Sequence, residues 1–179
     1  MVVFQTLTRV PQEWFPRLVQ IYRLAFIPPP YCKGEEEVIY FRRTLPEHVR
    51  RPGFRLVAAL KDESLIGYGY GYTCSPEYYW AVLVSEHLTD DMIIEWLSDA
   101  FYLAEMALLP SFQGLGIGGE MHDRILTDLP NRTAVLSTMY GESNAFHLYA
   151  QRGWQILVPK FTPPGMSRPY RVMGRMLTC

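Results

Sequence analysis

The chain has 179 residues, 49% of them hydrophobic and 20% charged, which is typical of a globular protein and excludes a disordered one. The formal net charge of −1 at pH 7 provides no overall positive field, so we expect no nucleic-acid partner and no anionic membrane partner. No run of eighteen apolar residues predicts a membrane span, and the first residues do not resemble a signal peptide. Cys32, Cys74 and Cys179 are spaced unlike a zinc motif, so we expect reduced thiols, no metal and a cytoplasmic location.

The first fifty residues predict one strand and two helices. Residues 2–8 predict a first strand, and residues 11–26 predict a helix with one apolar face. Three prolines predict an extended loop over residues 27–34. Residues 35–44 predict a second helix that begins with three glutamates, and Pro46 is expected to kink or end it.

A hairpin follows, with strands over residues 54–60 and 65–73 joined by a turn at residues 61–64. The second strand reads LIGYGYGYT, so three tyrosines share one face and three glycines the other. A strand face made only of glycine indicates the close approach of either a ligand or another backbone.

Residues 74–100 are long for a connection and rich in aromatic side chains. Part of the segment predicts a helix that begins after Thr89 and runs through Leu97. Three interpretations stay open for this insertion. It forms a wall of a substrate pocket, it forms a contact in a homodimer, or it simply packs on the sheet.

The most informative segment is residues 101–129, where an apolar strand ends at Pro110 and a glycine-rich turn leads into a helix. Ile117, Met121, Ile125 and Leu129 recur every four residues and give the helix one apolar face. Exposed N–H groups at a helix N-terminus favour phosphate. The spacing fits neither a Walker loop nor a dinucleotide fingerprint. The alternative is a glycine-rich connection with only a packing role.

The remaining chain predicts a strand at 134–139, a helix within 141–154 and a final strand at 170–177. Ser143 is the expected N-cap of that helix, and Gly153 suits the left-handed position after it. The elements together predict a single α/β (α+β) domain over residues 1–179, with a central mixed sheet flanked by helices.

Two motifs in this second half resemble those of the GNAT N-acetyltransferase superfamily, and of its bacterial members in particular. The first is Gln113-x-x-Gly116-x-Gly118 after the strand LAEMALLP, and the second is Leu148-Tyr149 followed by Gly153-Trp154. The resemblance extends from about residue 54 to the C-terminus and implies a splayed mixed sheet and acetyl-CoA as co-substrate. It implies that the cofactor is bound by Met106, Ala107, Leu108, Gln113, Gly114, Leu115, Gly116, Ile117, Gly118, Gly119, Asn144 and Tyr149. The family often has Asn seven residues before the tyrosine, where this chain has Glu142, and Asn144 lies two residues later.

Transfer of an acetyl group to an amine needs a base, an oxyanion donor and a proton donor. The resemblance implies that Tyr149 protonates the departing thiolate and that backbone near Leu108 polarises the acyl carbonyl. Glu105 is the only carboxylate in its apolar strand, so burial is expected to raise its pKa toward that of a useful base. Alternatively, Tyr149 is a core residue without a catalytic role. Glu105 is then a structural carboxylate or one that helps to hold substrate. His122 and His147 are interpreted as surface or packing residues.

The acceptor is expected to be a primary amine on a small molecule or a peptide. Tyr31, Tyr79 and Trp80 are the candidate substrate-binding residues, which predicts a pocket more aromatic than acidic. A hydroxyl acceptor or a longer acyl group remains an alternative. So does a non-catalytic module that senses acyl-CoA or regulates a partner.

Overall fold

The structure of the protein, a computed structural model, describes residues 1–177. Over these residues the chain forms seven strands: β1 Val2–Leu7, β2 Arg55–Lys61, β3 Ser64–Thr73, β4 Ala100–Leu108, β5 Thr133–Met139, β6 Gln155–Phe161 and β7 Tyr170–Met176. The helices are α1 Phe15–Phe26, α2 Glu35–His48, α3 Tyr79–Ser85, α4 Asp90–Trp96, α5 Ile117–Leu126 and α6 Asn144–Gln151. Short 3-10 turns lie at Gln12–Trp14 and Pro110–Phe112.

The strands form a mixed sheet in the order β1-β2-β3-β4-β5-β7-β6. β1, β2 and β3 pair antiparallel, as do β5, β7 and β6, whereas β4 and β5 run parallel. The parallel register covers only three residue pairs, from Ala100 opposite Thr133 to Tyr102 opposite Val135. The sheet is therefore splayed, and the predicted fold class is confirmed.

The chain divides into two compact units, and the first contains residues 1–72 and 103–127. In this unit the tyrosine face of β3 is covered by α1 and α2. Tyr68, at 0% exposure, donates its hydroxyl to the Leu18 carbonyl oxygen at 3.1 Å. The Tyr70 hydroxyl lies 2.9 Å from Nδ1 of His48 at the end of α2. The alternation predicted for β3 thus buries its large side chains under two helices.

The glycines of β3 are approached closely by β4, the next strand in the sheet. A Cβ atom added at Gly67 would lie 2.5 Å from Cδ1 of Leu108 and 3.0 Å from the carbonyl oxygen of Ala107. At Gly69 it would lie 3.0 Å from Cγ of Met106. The sequence left open whether a ligand or another backbone approaches these glycines. The structure shows that the close neighbour is another strand, β4.

The second unit contains residues 73–102 and the described residues from Asp128 onward. The insertion contributes α3 and α4 to its core, which includes Ala81, Val84, Trp96, Leu97, Val135, Val158 and Val172. Trp96 lies so close to Gly174 that a Cβ atom there would meet its Cε3 at 2.6 Å. The helices of the insertion therefore belong to the hydrophobic core of this unit.

Four elements differ from the sequence prediction. α2 continues two residues past Pro46, to His48, so of the two expected effects, a kink or an end, the end is excluded. α5 ends at Leu126, so Leu129 lies outside the helix whose apolar face it was expected to extend. α3 and β6 were not predicted, because seven-residue elements with only two buried residues each give little periodicity.

Other expectations for the elements are confirmed. The Thr89 side chain accepts a hydrogen bond from the N–H of Met92 at the start of α4, and Gly153 has φ 78° after α6. No helix within residues 1–177 combines the length and apolarity of a membrane span. Cys32 and Cys74 are free thiols, whereas Cys179 lies outside the described residues. The single-domain assignment for residues 1–179 stays a prediction.

Candidate active site

The glycine-rich turn lies in the first unit, between β4 and α5. The Gln113 side chain donates from Nε2 to the carbonyl oxygen of Leu108 at 3.0 Å, which ties the turn to the end of the strand. Gly116 is the N-cap of α5 and has φ 81°, a left-handed conformation that glycine adopts without strain. The chain therefore turns at Gly116, and α5 begins directly after this residue.

This turn is open enough to hold a phosphate group. A Cβ atom at Gly114 or at Gly116 would meet no atom within 4 Å. The first N–H groups of a helix lack partners within the helix and carry its positive dipole end. The acid in the first turn, Glu120, is paired with Arg124 at 2.6 Å, which offsets its charge. These features fit the pyrophosphate of coenzyme A.

The end of β4 runs into this turn beside β3. The N–H of Leu109 donates to the carbonyl oxygen of Ile66 at 3.0 Å. Ala107 is buried, whereas Met106 and Leu108 are partly exposed. These three residues occupy the place that the sequence motif predicts for the acyl-pantetheine arm, and their role stays a prediction.

Glu105 precedes them in β4 and is partly exposed. Burial raises the pKa of its carboxyl group above the usual range, while the Lys33 ammonium and the N–H of Met106 oppose the rise. The same carboxylate raises the pKa of Tyr68, in addition to the effect of burial. A carboxylate with a raised pKa and some access to solvent has the properties of a general base.

A wall of aromatic side chains lies within electrostatic range of Glu105. Tyr31 lies in the loop between α1 and α2, and its ring packs edge-on against Phe26 with centroids 5.0 Å apart. Burial raises the pKa of Tyr31, and the charge of Glu105 raises it further. Tyr22 contacts Phe26 and stacks on Phe41 at 4.2 Å. The structure thus brings the predicted residues Tyr31 and Glu105 together in one unit.

Lys33 is the residue of this group that the sequence analysis missed. Its Nζ donates to the Tyr22 hydroxyl at 2.8 Å and lies 4.3 Å from the ring centroid of Phe26. A lysine two positions after Tyr31, in a loop expected to border the acceptor, was the available signal. It is weak, because most lysines in loops are solvated.

Tyr149 and Asn144 belong to the second unit. The Ser143 side chain caps α6 by accepting from the N–H of Phe146 at 3.1 Å, which confirms the predicted cap. Tyr149 is 8% exposed, and its ring lies 5.7 Å from that of Trp154. Asn144, the first residue of α6, is exposed. Joint action of Tyr149 with Glu105 stays a prediction, since the two residues lie in different units.

The two aromatic residues of the insertion have different surroundings. Trp80 stacks on Tyr102 at 4.2 Å and donates from Nε1 to Oγ of Ser137 at 2.7 Å. Tyr79 is 60% exposed. Trp80 is therefore anchored to β4 and β5 within the second unit, and the predicted contact of both residues with substrate stays a prediction.

The two histidines near the motifs have local partners. His122 is fully buried, and its Nδ1 lies 2.8 Å from Oδ1 of Asp123. Nε2 of His147 lies 3.1 Å from Oε2 of Glu142, with both side chains mostly exposed. Across the described part of the chain, no group of three or more His, Cys, Asp or Glu side chains is placed to hold a metal ion.

The order of strand, glycine turn and helix is matched by a known family: the sequence model of the Acetyltransferase (GNAT) family matches residues 16–154. The chain belongs to the GNAT family. GNAT proteins are acetyltransferases that use acetyl-CoA and act on amine acceptors such as peptides or small molecules. This chain is accordingly an acetyltransferase at the level of family.

The relatives of this GNAT chain include one curated protein and many solved structures. This chain is 27% identical over 161 residues to a GCN5-like protein acetyltransferase of Mycobacterium tuberculosis. The match covers 73% of this chain and 78% of the relative. A GNAT-family structure from Desulfovibrio desulfuricans superposes with a TM-score of 0.69 at 14% identity, covering 99% and 100% of the two chains. The structure of PaiA N-acetyltransferase from Thermoplasma acidophilum, in complex with coenzyme A, superposes with a TM-score of 0.65 at 14% identity. The match covers 98% of this chain and 99% of that one. At these identities the structures show the fold alone.

Proposed function

We propose that this GNAT protein transfers an acetyl group from acetyl-CoA directly to a primary amine of a small molecule or peptide, within a ternary complex. The observation that carries the proposal is Glu105. It is a partly exposed carboxylate with a raised pKa on the strand that leads into the open glycine turn. A base and a phosphate-binding turn in one unit are what such a transfer requires.

The residues divide the work as follows. Glu105 accepts a proton from the acceptor ammonium, which leaves a neutral amine to attack the acyl carbon. The N–H of Leu108 polarises the carbonyl oxygen, and Gln113 through Gly119 hold the pyrophosphate. Acetyl-CoA supplies an activated thioester, so no covalent bond to the protein is needed. The carbon–nitrogen bond forms and the carbon–sulfur bond breaks. Tyr149 gives its proton to the departing thiolate and is reprotonated by the second proton, which the nitrogen loses as it becomes an amide, while Glu105 releases the first proton to solvent.

The wall beside Glu105 favours an aromatic or hydrophobic amine over a polycation. The Tyr31 ring is partly exposed there, and Lys33 already places a positive charge over the buried rings of Tyr22 and Phe26. A second cation arriving beside Lys33 would be repelled at this short range. Tyr79 and Trp80 are proposed to contact the acceptor from the insertion.

A thiol-release assay tests the function. The protein is incubated with acetyl-CoA and a panel of matched aromatic and polycationic amines, and free coenzyme A and acetylated product are both measured. We expect acetylation of aromatic amines and a loss of at least about a hundredfold in Glu105→Gln, the usual effect of removing a positioned base. Coenzyme A binding without product from any amine would favour the non-catalytic sensor instead.

A further inference from the structure

An open cleft lies in the first unit, where the start of α1 meets the turn between β2 and β3. Its volume is about 430 Å³, within the range of about 300–1,000 Å³ that is typical of small-molecule sites. We call it the Trp14 cleft, and it is lined by Trp14, Arg17, Leu60, Glu63, Ser64 and Leu65. Among these side chains only that of Leu65 is buried, so a ligand can reach the others.

Arg17 brings a fixed positive charge to the Trp14 cleft. Its Nε and Nη2 both donate to the carbonyl oxygen of Leu65, at 3.0 and 2.9 Å, and its Nη1 donates to Oε1 of Gln20 at 2.8 Å. Both acceptors are neutral, and no carboxylate within residues 1–177 forms an ion pair with this guanidinium. The charge is therefore held in place without a counter-ion, and two of the five guanidinium N–H groups are left for a ligand.

Glu63 contributes the opposite charge to the same cleft. It lies in the tight turn between β2 and β3, where Asp62 and Glu63 have φ of 49° and 62°. Its side chain is exposed and forms no ion pair with any residue that the structure describes. An anion alone would be attracted by Arg17 and repelled by Glu63, and a cation alone would meet the reverse.

The Trp14 cleft is separate from the proposed acetyl-transfer site. A Cβ atom at Gly69 of β3 would lie 3.6 Å from the carbonyl oxygen of Glu105. Leu65 precedes Gly69 by four residues in the same strand, which corresponds to a separation of about 13 Å. Binding in this cleft therefore depends neither on Glu105 nor on the transfer of an acetyl group.

We propose that the Trp14 cleft binds an apolar α-amino acid, whose carboxylate pairs with Arg17 and whose ammonium pairs with Glu63. A zwitterion satisfies both charges at once, whereas a ligand with a single charge leaves one of them unpaired. The partly exposed indole of Trp14 suits the ammonium as well, because Trp is the ring that attracts cations best. Leu60, also partly exposed, offers an apolar contact to the side chain of the ligand.

Three ligands with the same branched carbon skeleton test the proposal. L-leucine carries both charges, isocaproate lacks the ammonium and isoamylamine lacks the carboxylate. Each is titrated into the isotope-labelled full-length protein while the indole N–H resonance of Trp14 is followed by NMR. The loss of this resonance in Trp14→Phe identifies it. We expect L-leucine to shift the resonance and to bind about tenfold more tightly than either analogue, the usual effect of one charge-assisted hydrogen bond.

Glu63→Gln removes the negative charge at an exposed position. It should weaken the binding of L-leucine about tenfold and strengthen that of isocaproate, whose carboxylate is no longer repelled. Asp62→Asn is the matched control, because Asp62 is the neighbouring exposed acid of the same turn and does not line the cleft. It should leave all three affinities within about twofold. Arg17→Gln should instead strengthen the binding of isoamylamine, and circular dichroism verifies that this variant is folded.

Glu105→Gln separates this site from the proposed function. It removes the proposed base, so it should abolish acetyl transfer and leave the titration of the Trp14 resonance unchanged. A Trp14 resonance that does not respond to L-leucine, or an analogue that binds as tightly, would overturn the proposal. So would equal effects of Glu63→Gln and Asp62→Asn, or a weakening by Glu105→Gln as large as that by Glu63→Gln.

Discussion

Three influences of opposite sign act on the pKa of Glu105. Burial raises the pKa of its carboxyl group, while Lys33 and the N–H of Met106 lower it. Its own charge raises the pKa of Tyr31 and of Tyr68, so both hydroxyls stay protonated beside it. The pKa of this carboxyl group therefore lies above the usual range for a glutamate, in the direction that favours a general base.

This balance predicts the acid side of the pH profile. A base acts when deprotonated, so kcat/KM should fall as the pH decreases through the raised pKa of Glu105. Lys33→Met removes the opposing cation, so the pKa rises further and the fall should begin at a higher pH. The difference is measured from the pH dependence of kcat/KM for wild type and Lys33→Met. Phenethylamine is the substrate in both experiments, so its own ionisation contributes equally to the two profiles. Identical acid limbs in wild type and variant would show that another group limits the rate.

Tyr149 is predicted to act through its hydroxyl alone. The ring is 8% exposed and packs near Trp154, so Tyr149→Phe keeps the packing and deletes only the proton donor. We expect unchanged affinity for coenzyme A and a kcat lowered by about ten- to ten-thousandfold. Steady-state kinetics and calorimetry measure the two effects separately. Undiminished turnover would identify Tyr149 as a core residue, with water protonating the thiolate.

At the scale of elements, the glycine turn and the N-terminus of α5 are the proposed cofactor site, since a Cβ atom at Gly114 or Gly116 would meet no atom within 4 Å. Gly116→Asp places a negative charge at this point, and coenzyme A binding by calorimetry should be lost. Gly165→Asp is a matched control, since Gly165 has φ 77° and equally open surroundings. Both variants should remain folded by circular dichroism. Equal affinity in the two would contradict a pyrophosphate site at this turn.

The end of α2 is docked on the tyrosine face of β3 through a neutral histidine. Burial, helped by the charge of Arg51, lowers the pKa of His48 to about 4 from 6.5. The unfolded chain therefore binds a proton at this residue between those pH values, whereas the folded protein does not. Stability should consequently decrease as the pH falls from about 6.5 to about 4.

The contribution of His48 can be measured as a difference between two proteins. A shift of this size corresponds to at most about 3 kcal/mol of unfolding free energy, with partial exposure reducing it. His48→Gln still offers Tyr70 a hydrogen bond but cannot titrate. Urea unfolding of the variant should therefore depend less on pH over this interval than that of wild type. Parallel curves for the two proteins would show that the pKa is not lowered.

At the scale of the whole molecule, β4 contributes residues to both compact units. Ala100 through Tyr102 pair with β5 in the second unit, and the rest of the strand belongs to the first. Unfolding of one unit alone would require half of β4 to unfold while the other half stays paired. We therefore expect the chain to unfold in one cooperative transition. One cooperative transition is the unfolding behaviour that the single-domain prediction implies.

The tryptophans make that prediction measurable. Trp80, Trp96 and Trp154 lie in the second unit and dominate the fluorescence, whereas far-ultraviolet circular dichroism reports helices of both. The two signals should coincide during urea unfolding. Separate midpoints would show two independently folding units.

The sequence by itself determined the features that depend on near neighbours along the chain. The alternation of tyrosine and glycine determined β3, Ser143 determined the start of α6, and the glycines after Pro110 determined the turn before α5. Glu105 was found as the one carboxylate in an apolar strand. These signals are readable because caps, turns and periodicity are set within a few residues.

Only the tertiary structure decided which distant groups meet. It placed β4 against the glycines of β3, and it anchored Trp80 on Tyr102 and Ser137. It also returned Lys33 to the rings of α1, within electrostatic range of Glu105. Such contacts depend on how a loop closes and how strands align across many residues, and no spacing in the sequence encodes that geometry.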